Sequence, residues 1–217
     1  MALSKVDYNS LNVTAAASKA LKWNSGADGF ETGDVGGSLV LLETQTASSS
    51  STLSFTSDID DTYDEYVFKF INIHPSANGN QFQFNVSIDA GSNYNVAKTS
   101  TMFYSVHKED DTGTGFSYGD SYDLAQGTGF QALTDSTSND NDGSTSGELF
   151  IFNPSSTTFV KHFLATTNSL FSGGTYTWQE FTAGYGNTTS AVTGVQFKYS
   201  SGNIDAGTFK LYGIKDS

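Results

Sequence analysis

The sequence predicts an all-β fold, an antiparallel jelly-roll-like β-sandwich preceded by an extended N-terminal arm, and three observations carry the prediction. Short runs of β-branched and aromatic residues recur along the chain, separated by clusters of Gly, Asn, Asp and Ser. The clearest runs alternate apolar and polar residues with period two, the pattern of a strand with one covered and one wet face. No helical pattern of roughly 10 to 15 residues separates them, so parallel βαβ units are not expected and the strands should pair antiparallel. With 17 Phe, 11 Tyr and 36% hydrophobic residues in 217, the chain can build one substantial core.

Residues 1–37 come first and show no sustained period of two. The stretch TAAASKALKW, residues 14–23, opens like a short helix behind a Thr cap. Its Ala-dominated stripe is too short to hold a helix alone, so an extended docking or connector arm is expected. The apolar residues of that arm, Leu11, Val13, Leu21, Trp23 and Phe30, are spaced widely among Asn, Ser and Gly. They are expected to dock on other chains; folding back on their own domain is the competing reading.

Residues 38–217 form the sandwich domain. The β-prone runs are SLVLLETQT, STLSF, EYVFKFINI, QFQFNVSID, TMFYSVHK, GELFIFN, TFVKHFLATT, EFTAGYG, TGVQFKYSS and GTFKLYGIK. They amount to about ten strands. In residues 81–88, Phe82, Phe84, Val86 and Ile88 are expected to face the core, and Gln81, Gln83, Asn85 and Ser87 to face water. Val195, Phe197 and Tyr199 repeat that alternation, and SSGNIDAG reads as a hairpin connection to the last strand. Two connections are long, residues 109–129 and 134–147. Long loops at one end of a sandwich commonly carry recognition, although the second is expected to be a solvated link. Tyr118 and Tyr122 in the first, with Tyr176 and Trp178 in GGTYTWQEF, are the candidate receptor-facing aromatics.

Charge and motifs exclude more than they identify. Ten Lys and Arg against 23 Asp and Glu give a net charge of -13, which repels phosphate backbones and excludes nucleic acid as a direct partner. There is no Cys, hence no disulfide or thiolate chemistry. Neither a secretory apolar core nor a membrane-length apolar stretch is visible, so synthesis in a cytoplasm and no membrane partner are expected. The acids of DIDDTYDE and NDNDG suggest calcium, but the position where an EF-hand needs Glu holds Leu149. His74, His107 and His162 form no HxH or HxxxH pair. GDVGG lacks the Lys of a phosphate-binding loop. Glu148, Glu180 and Asp64 have no feature that singles them out as a glycosidase pair. No catalytic residue, metal ligand or cofactor is therefore assigned.

Several phrases occur together: KALKWNSGADGFETGDVGGSLVLL, TYDEYVFKFINIHP, DAGSNYNVAKTSTMFY, DLAQGTGFQ, GELFIFNPSSTTFVKHF and SSGNIDAGTFKLYGIK. From about Lys19 to Lys215 the chain thereby resembles the virion structural proteins of tailed phages that infect marine bacteria. The resemblance implies a jelly-roll module displayed on the particle, on a short tail appendage, a fibre or the head. It also implies threefold assembly, contacts with capsid or tail proteins, and segments like LKWNSGADGFETGD acting as connectors. It names no catalytic residue. A carbohydrate-binding module that recognises a host surface glycan is the alternative expectation.

Overall fold

The computed structural model describes residues 19–34 and 37–215. The chain divides into two compact units, Met1–Ser38 and Leu39–Ser217.

In the first unit, β1 (Lys19–Trp23) and β2 (Phe30–Asp34) form an antiparallel hairpin. This corrects the expectation of an extended arm without strands. The cause is the six-residue turn NSGADG. The Asn24 N–H donates to the Gly29 carbonyl at 3.0 Å, and Ala27 takes φ 53°. The Asn24 side chain donates to Asp28 Oδ1 at 2.8 Å and accepts the Asp28 N–H at 3.2 Å, so the turn is closed by its own polar residues. Leu11 and Val13 lie outside the described residues.

In the second unit the chain runs through β3 (Leu39–Ser50), β4 (Leu53–Phe55), β5 (Glu65–Pro75), β6 (Phe82–Ser87) and β7 (Lys98–Lys108). β8 (Thr114–Tyr118), β9 (Ala125–Gly127), β10 (Gln131–Ala132) and β11 (Thr145–Phe152) follow. The last are β12 (Lys161–Leu170), β13 (Tyr176–Gly186), β14 (Gly194–Tyr199) and β15 (Ile204–Ile214). All pairings are antiparallel. The large sheet has the order β3-β15-β5-β11-β12-β13-β7-β8, with β9 also on β7; the small sheet is β10-β6-β14-β4. Each of the ten runs read from the sequence contains a strand. The architecture is the expected antiparallel sandwich, with the strands divided unevenly between its layers.

The core lies between the sheets. Phe55, Phe68, Phe70, Phe82, Phe84, Phe197 and Phe209 are all fully buried. Phe197 sits at their centre, its ring centroid 5.1 to 6.1 Å from those of Phe55, Phe68, Phe70, Phe82 and Phe209. Those rings come from both layers, which is why the segment SSGNIDAG is not a hairpin. β14 belongs to the small sheet and β15 to the large one, so the segment is a corner that carries the chain across the core. Gly202 at φ +75° and the exchange of bonds between Ser76 and Asn203 shape that corner.

Two further expectations change. Ile88 is 42% exposed, because β6 ends one residue earlier. Asn85 and Ser87, assigned to the wet face, are fully buried because later segments fold over that face. Asn85 Nδ2 donates to the carbonyls of Tyr94, Thr128 and Gly129, and its Oδ1 accepts from Lys98 Nζ at 2.5 Å. The connection 134–147 is likewise no solvated link. Thr134, Thr137 and Ser138 are fully buried, and Thr134 Oγ1 takes the Phe82 N–H at 2.9 Å.

Candidate functional site: the outer face of the large sheet

Strand alternation gives the large sheet a second face, pointing away from the core. The pairing registers align one row across it, from Leu41 through Tyr212, Val67, Phe150, Leu164 and Ala183 to Thr101. Six of those seven side chains are apolar or aromatic, yet this is the side away from the core. Leu41 and Leu164 are each 51% exposed. On one side the next row holds His162, Tyr185 and Thr99; on the other it holds Thr166, Phe181 and Phe103. Phe181 stacks on Phe103 at 4.9 Å, and Phe103 in turn meets Phe116 at 5.5 Å.

Ala183 is short beside its neighbours, so the surface dips there. A groove of about 450 Å³ opens between Leu164 and Ala183 on one side and Phe152, His162 and Tyr185 on the other. A second, of about 250 Å³, lies between Leu164 and Ala183 and the Phe103–Phe181 stack. The outward positions of β3, β15, β5, β11, β12 and β13 carry three acids, Glu65, Glu148 and the exposed Asp205, and two lysines, Lys69 and Lys210. Glu148 and Lys69 form an ion pair. With three acids against two lysines on a chain of net charge -13, this face carries little of the acidic excess.

The sequence-derived candidates are placed as follows. Leu21, Trp23 and Phe30 share one face of the β1–β2 hairpin, with Lys22 and Glu31 on the other, paired at 3.3 Å. Trp23, 61% exposed, stacks on Phe30 at 4.4 Å. Among the four proposed receptor-facing aromatics, only Tyr118 is exposed to the extent expected, at 59%. Its hydroxyl donates to Asp123. Tyr122 is half-buried in a 3-10 turn, Asp120–Tyr122, and faces Asp135; burial pushes its hydroxyl pKa up.

Tyr176 and Trp178 lie on the inward side of β13, which corrects their assignment. The Trp178 ring is packed between Tyr104 at 4.5 Å and Phe171 at 4.4 Å, near-parallel to both. Both faces are taken, and no sugar ring can stack on it. Tyr176 is packed edge-on against Phe171 and lies under Lys108 Nζ at 5.9 Å.

The acids and histidines do not converge. Among the described residues no three His, Asp or Glu side chains are placed to hold a metal ion. Asp60 of DIDDTYDE closes its own turn, taking the Thr62 N–H at 2.8 Å and the Tyr66 hydroxyl at 3.0 Å. Those bonds hold its pKa below the usual value. His74 Nδ1 meets the Gly143 carbonyl at 2.6 Å, and His107 Nε2 meets Asp111 at 3.0 Å.

Glu180 is the most perturbed acid. It is buried between the sheets, with Ser169 Oγ at 3.0 Å, Thr167 Oγ1 at 3.3 Å and the Asp135 N–H at 3.3 Å. Burial pushes its pKa up to about 8, and Asp135 is raised for the same reason. Enclosed in this way, it is a core hydrogen-bonding group rather than a group presented to substrate.

The row on the outer face was missed by the sequence reading, although a signal was present. EYVF and ELFIF are almost continuously apolar, as in strands covered on both faces. No protein-family model, no curated protein and no solved structure matches this chain.

Proposed function

We propose that this chain is a non-enzymatic structural protein of a phage particle, displayed on the particle surface as a short tail appendage, fibre module or head decoration. It is made in the host cytoplasm, joins capsid or tail proteins and copies of itself, as a homotrimer, and is held through its N-terminal unit. The observation that carries this reading is the apolar row across the outer face of the large sheet. Patches of that kind on otherwise polar proteins mark protein contacts. The likeness of its phrases to marine phage virion proteins supports the same reading. Copies held in an array gain avidity, so a small apolar hairpin suffices as an anchor.

Mass spectrometry of particles purified from the source encoding this chain tests it. The expected result is the chain in particles at many copies each, hundreds for a head decoration and a few dozen for a tail part. Its presence in the lysate and absence from particles would overturn the reading.

A carbohydrate-binding role is the second reading, favoured by Phe116, 71% exposed, beside Tyr118. Flat exposed rings suit stacking on a sugar. A glycan array probed with the protein and with a Phe116→Ser, Tyr118→Ser double variant decides it. Binding lost in the variant supports that reading, and no binding by either removes it.

A further inference from the structure

We propose that Lys98 and Asn85 join in an amide bond within the chain, one that ties β6 of the small sheet to β7 of the large one. The inference stands on this pair of side chains and not on the virion reading.

Both side chains are sealed from water, Lys98 at 1% exposure and Asn85 at 0%. Lys98 Nζ donates to Asn85 Oδ1 at 2.5 Å and to the Val96 carbonyl at 2.9 Å. Among the described residues no carboxylate pairs with it. A charged amine is unfavourable in such a place, and burial alone lowers its pKa to about 7. The neutral amine has two hydrogens, which those two oxygens take, and one lone pair left to act as a nucleophile. As packing alone, a methionine would fill the same space without burying a polar group.

The Asn85 amide is arranged to receive that nucleophile. Its carbonyl bond is about 1.2 Å long, so Nζ lies within about 3.7 Å of Cγ. Bound groups react from separations of roughly 3–3.5 Å, a small displacement away. Oδ1 also takes the Val86 N–H at 2.8 Å, a donor already in place where negative charge develops as Nζ adds. Nδ2 faces three carbonyls, those of Tyr94 at 2.7 Å, Thr128 at 3.1 Å and Gly129 at 3.2 Å. An amide nitrogen has two hydrogens and ammonia has three, so these acceptors suit the leaving group better than the amide itself.

The step balances within the pair. The Nζ lone pair forms the bond to Cγ while the carbonyl π electrons move onto Oδ1. One proton passes from Nζ to Nδ2. The electrons on Oδ1 then restore the carbonyl, the Cγ–Nδ2 bond breaks, and ammonia departs with the electrons of that bond. Nothing is oxidised or reduced. Exclusion of water suppresses the competing hydrolysis of the amide to a carboxylate. The product closes residues 85–98 into a loop and links the two sheets covalently. Closure also removes the amine, so the titration of Lys98 belongs to the open chain alone.

Intact mass spectrometry of the full-length protein, aged at mildly alkaline pH, tests the bond. The expected reading is the mass of the sequence less one ammonia. After denaturation, trypsin should fail at Lys98 and leave residues 70–108 as one peptide, short by one ammonia. Fragmentation of that peptide should show no break between residues 85 and 98, because a single cut inside a ring releases nothing. Lys98→Met and Asn85→Ala should each keep the full mass of their own sequences, with circular dichroism to check that they fold. The peptide readings need only the unmodified chain, so they decide the question even where a variant fails to fold.

An unmodified protein that keeps its full mass overturns the proposal. So does an ammonia loss that persists in a folded Lys98→Met chain. A loss that fragmentation places at Asn78, where the following Gly79 favours a cyclic imide, overturns it as well. A loss confined to chains that carry both Lys98 and Asn85, with trypsin blocked at Lys98, sustains it.

Discussion

The interior of the sandwich has two halves that are held together by different physics. Around Phe197 the two sheets meet through aromatic rings in edge and tilted contacts, with no hydrogen bond at stake. Around Glu180 they meet through Thr134, Thr137, Thr145, Thr167 and Ser169, all buried to 1% exposure or less, in a chain of hydroxyl contacts. The aromatic half tolerates changes of pH but not of volume. The polar half tolerates small changes of volume but depends on where protons reside.

Phe197→Ala should break the first half most severely. Removing the ring leaves a cavity among five aromatic neighbours and should cost about 3–5 kcal/mol, read by urea unfolding. A loss under about 1 kcal/mol would mean that the sheets collapse around the gap and that the rings are not close-packed.

The second half should show itself as a slope. Glu180 has a native pKa of about 8 against 4.5 in the unfolded chain, so the native state holds the extra proton between those values. Stability from this group is fully present below pH 4.5 and is lost as pH rises to about 8, by up to about 1.4 kcal/mol per pH unit. Glu180→Gln keeps the shape without the proton, and unfolding curves at pH 5 and 8 should differ much less for it than for the unmodified chain. Equal pH dependence in both proteins would remove Glu180 as the source.

Lys98 acts in the opposite sense. Burial lowers its native pKa to about 7, while the unfolded chain keeps the proton up to 10.5. Stability from it is therefore complete above pH 10.5 and is lost as pH falls to about 7. The two groups together place a minimum of stability near pH 7 to 8. Lys98→Met should flatten the rise on the alkaline side and leave the acidic side unchanged, which separates the two sources in one titration. The smallest effect is expected outside both halves. Phe116→Ser, on an exposed ring, should shift stability by no more than about 0.5 kcal/mol.

Much of the aromatic half was legible in the sequence and little of the polar half was. Phe82, Phe84, Val195 and Phe197 advertise their inward direction by alternating with polar residues, and local period is enough to read that. Asn85 broke the rule because residues 94, 128 and 129 supply the carbonyls that let its amide be buried. No local pattern records such partners. Trp178 was misread for a similar reason. A Trp among Thr and Gln looks exposed until Tyr104 and Phe171 arrive from other segments to enclose it. The outer row was written in the sequence as strands apolar on both faces, but registers are needed to see that Leu41, Phe150 and Leu164 fall in line. The β1–β2 hairpin was hidden because a six-residue turn, closed by Asn24 and Asp28, separates two strands of only five residues each.

The neighbouring placement of β3 and β15 bears on how the module responds to mechanical load. Leu39, where the chain enters the sandwich, pairs with Ile214, where the last strand ends. Hydrogen bonds of an antiparallel pair lie across the strands, so a pull applied at Leu39 and Ile214 opens them one rung at a time, like a zip. The same module tugged at Leu39 and at a distant surface loads many rungs at once in shear. A sandwich tethered by its entry strand and gripped on its broad outer face is thus loaded in the stronger of its two directions.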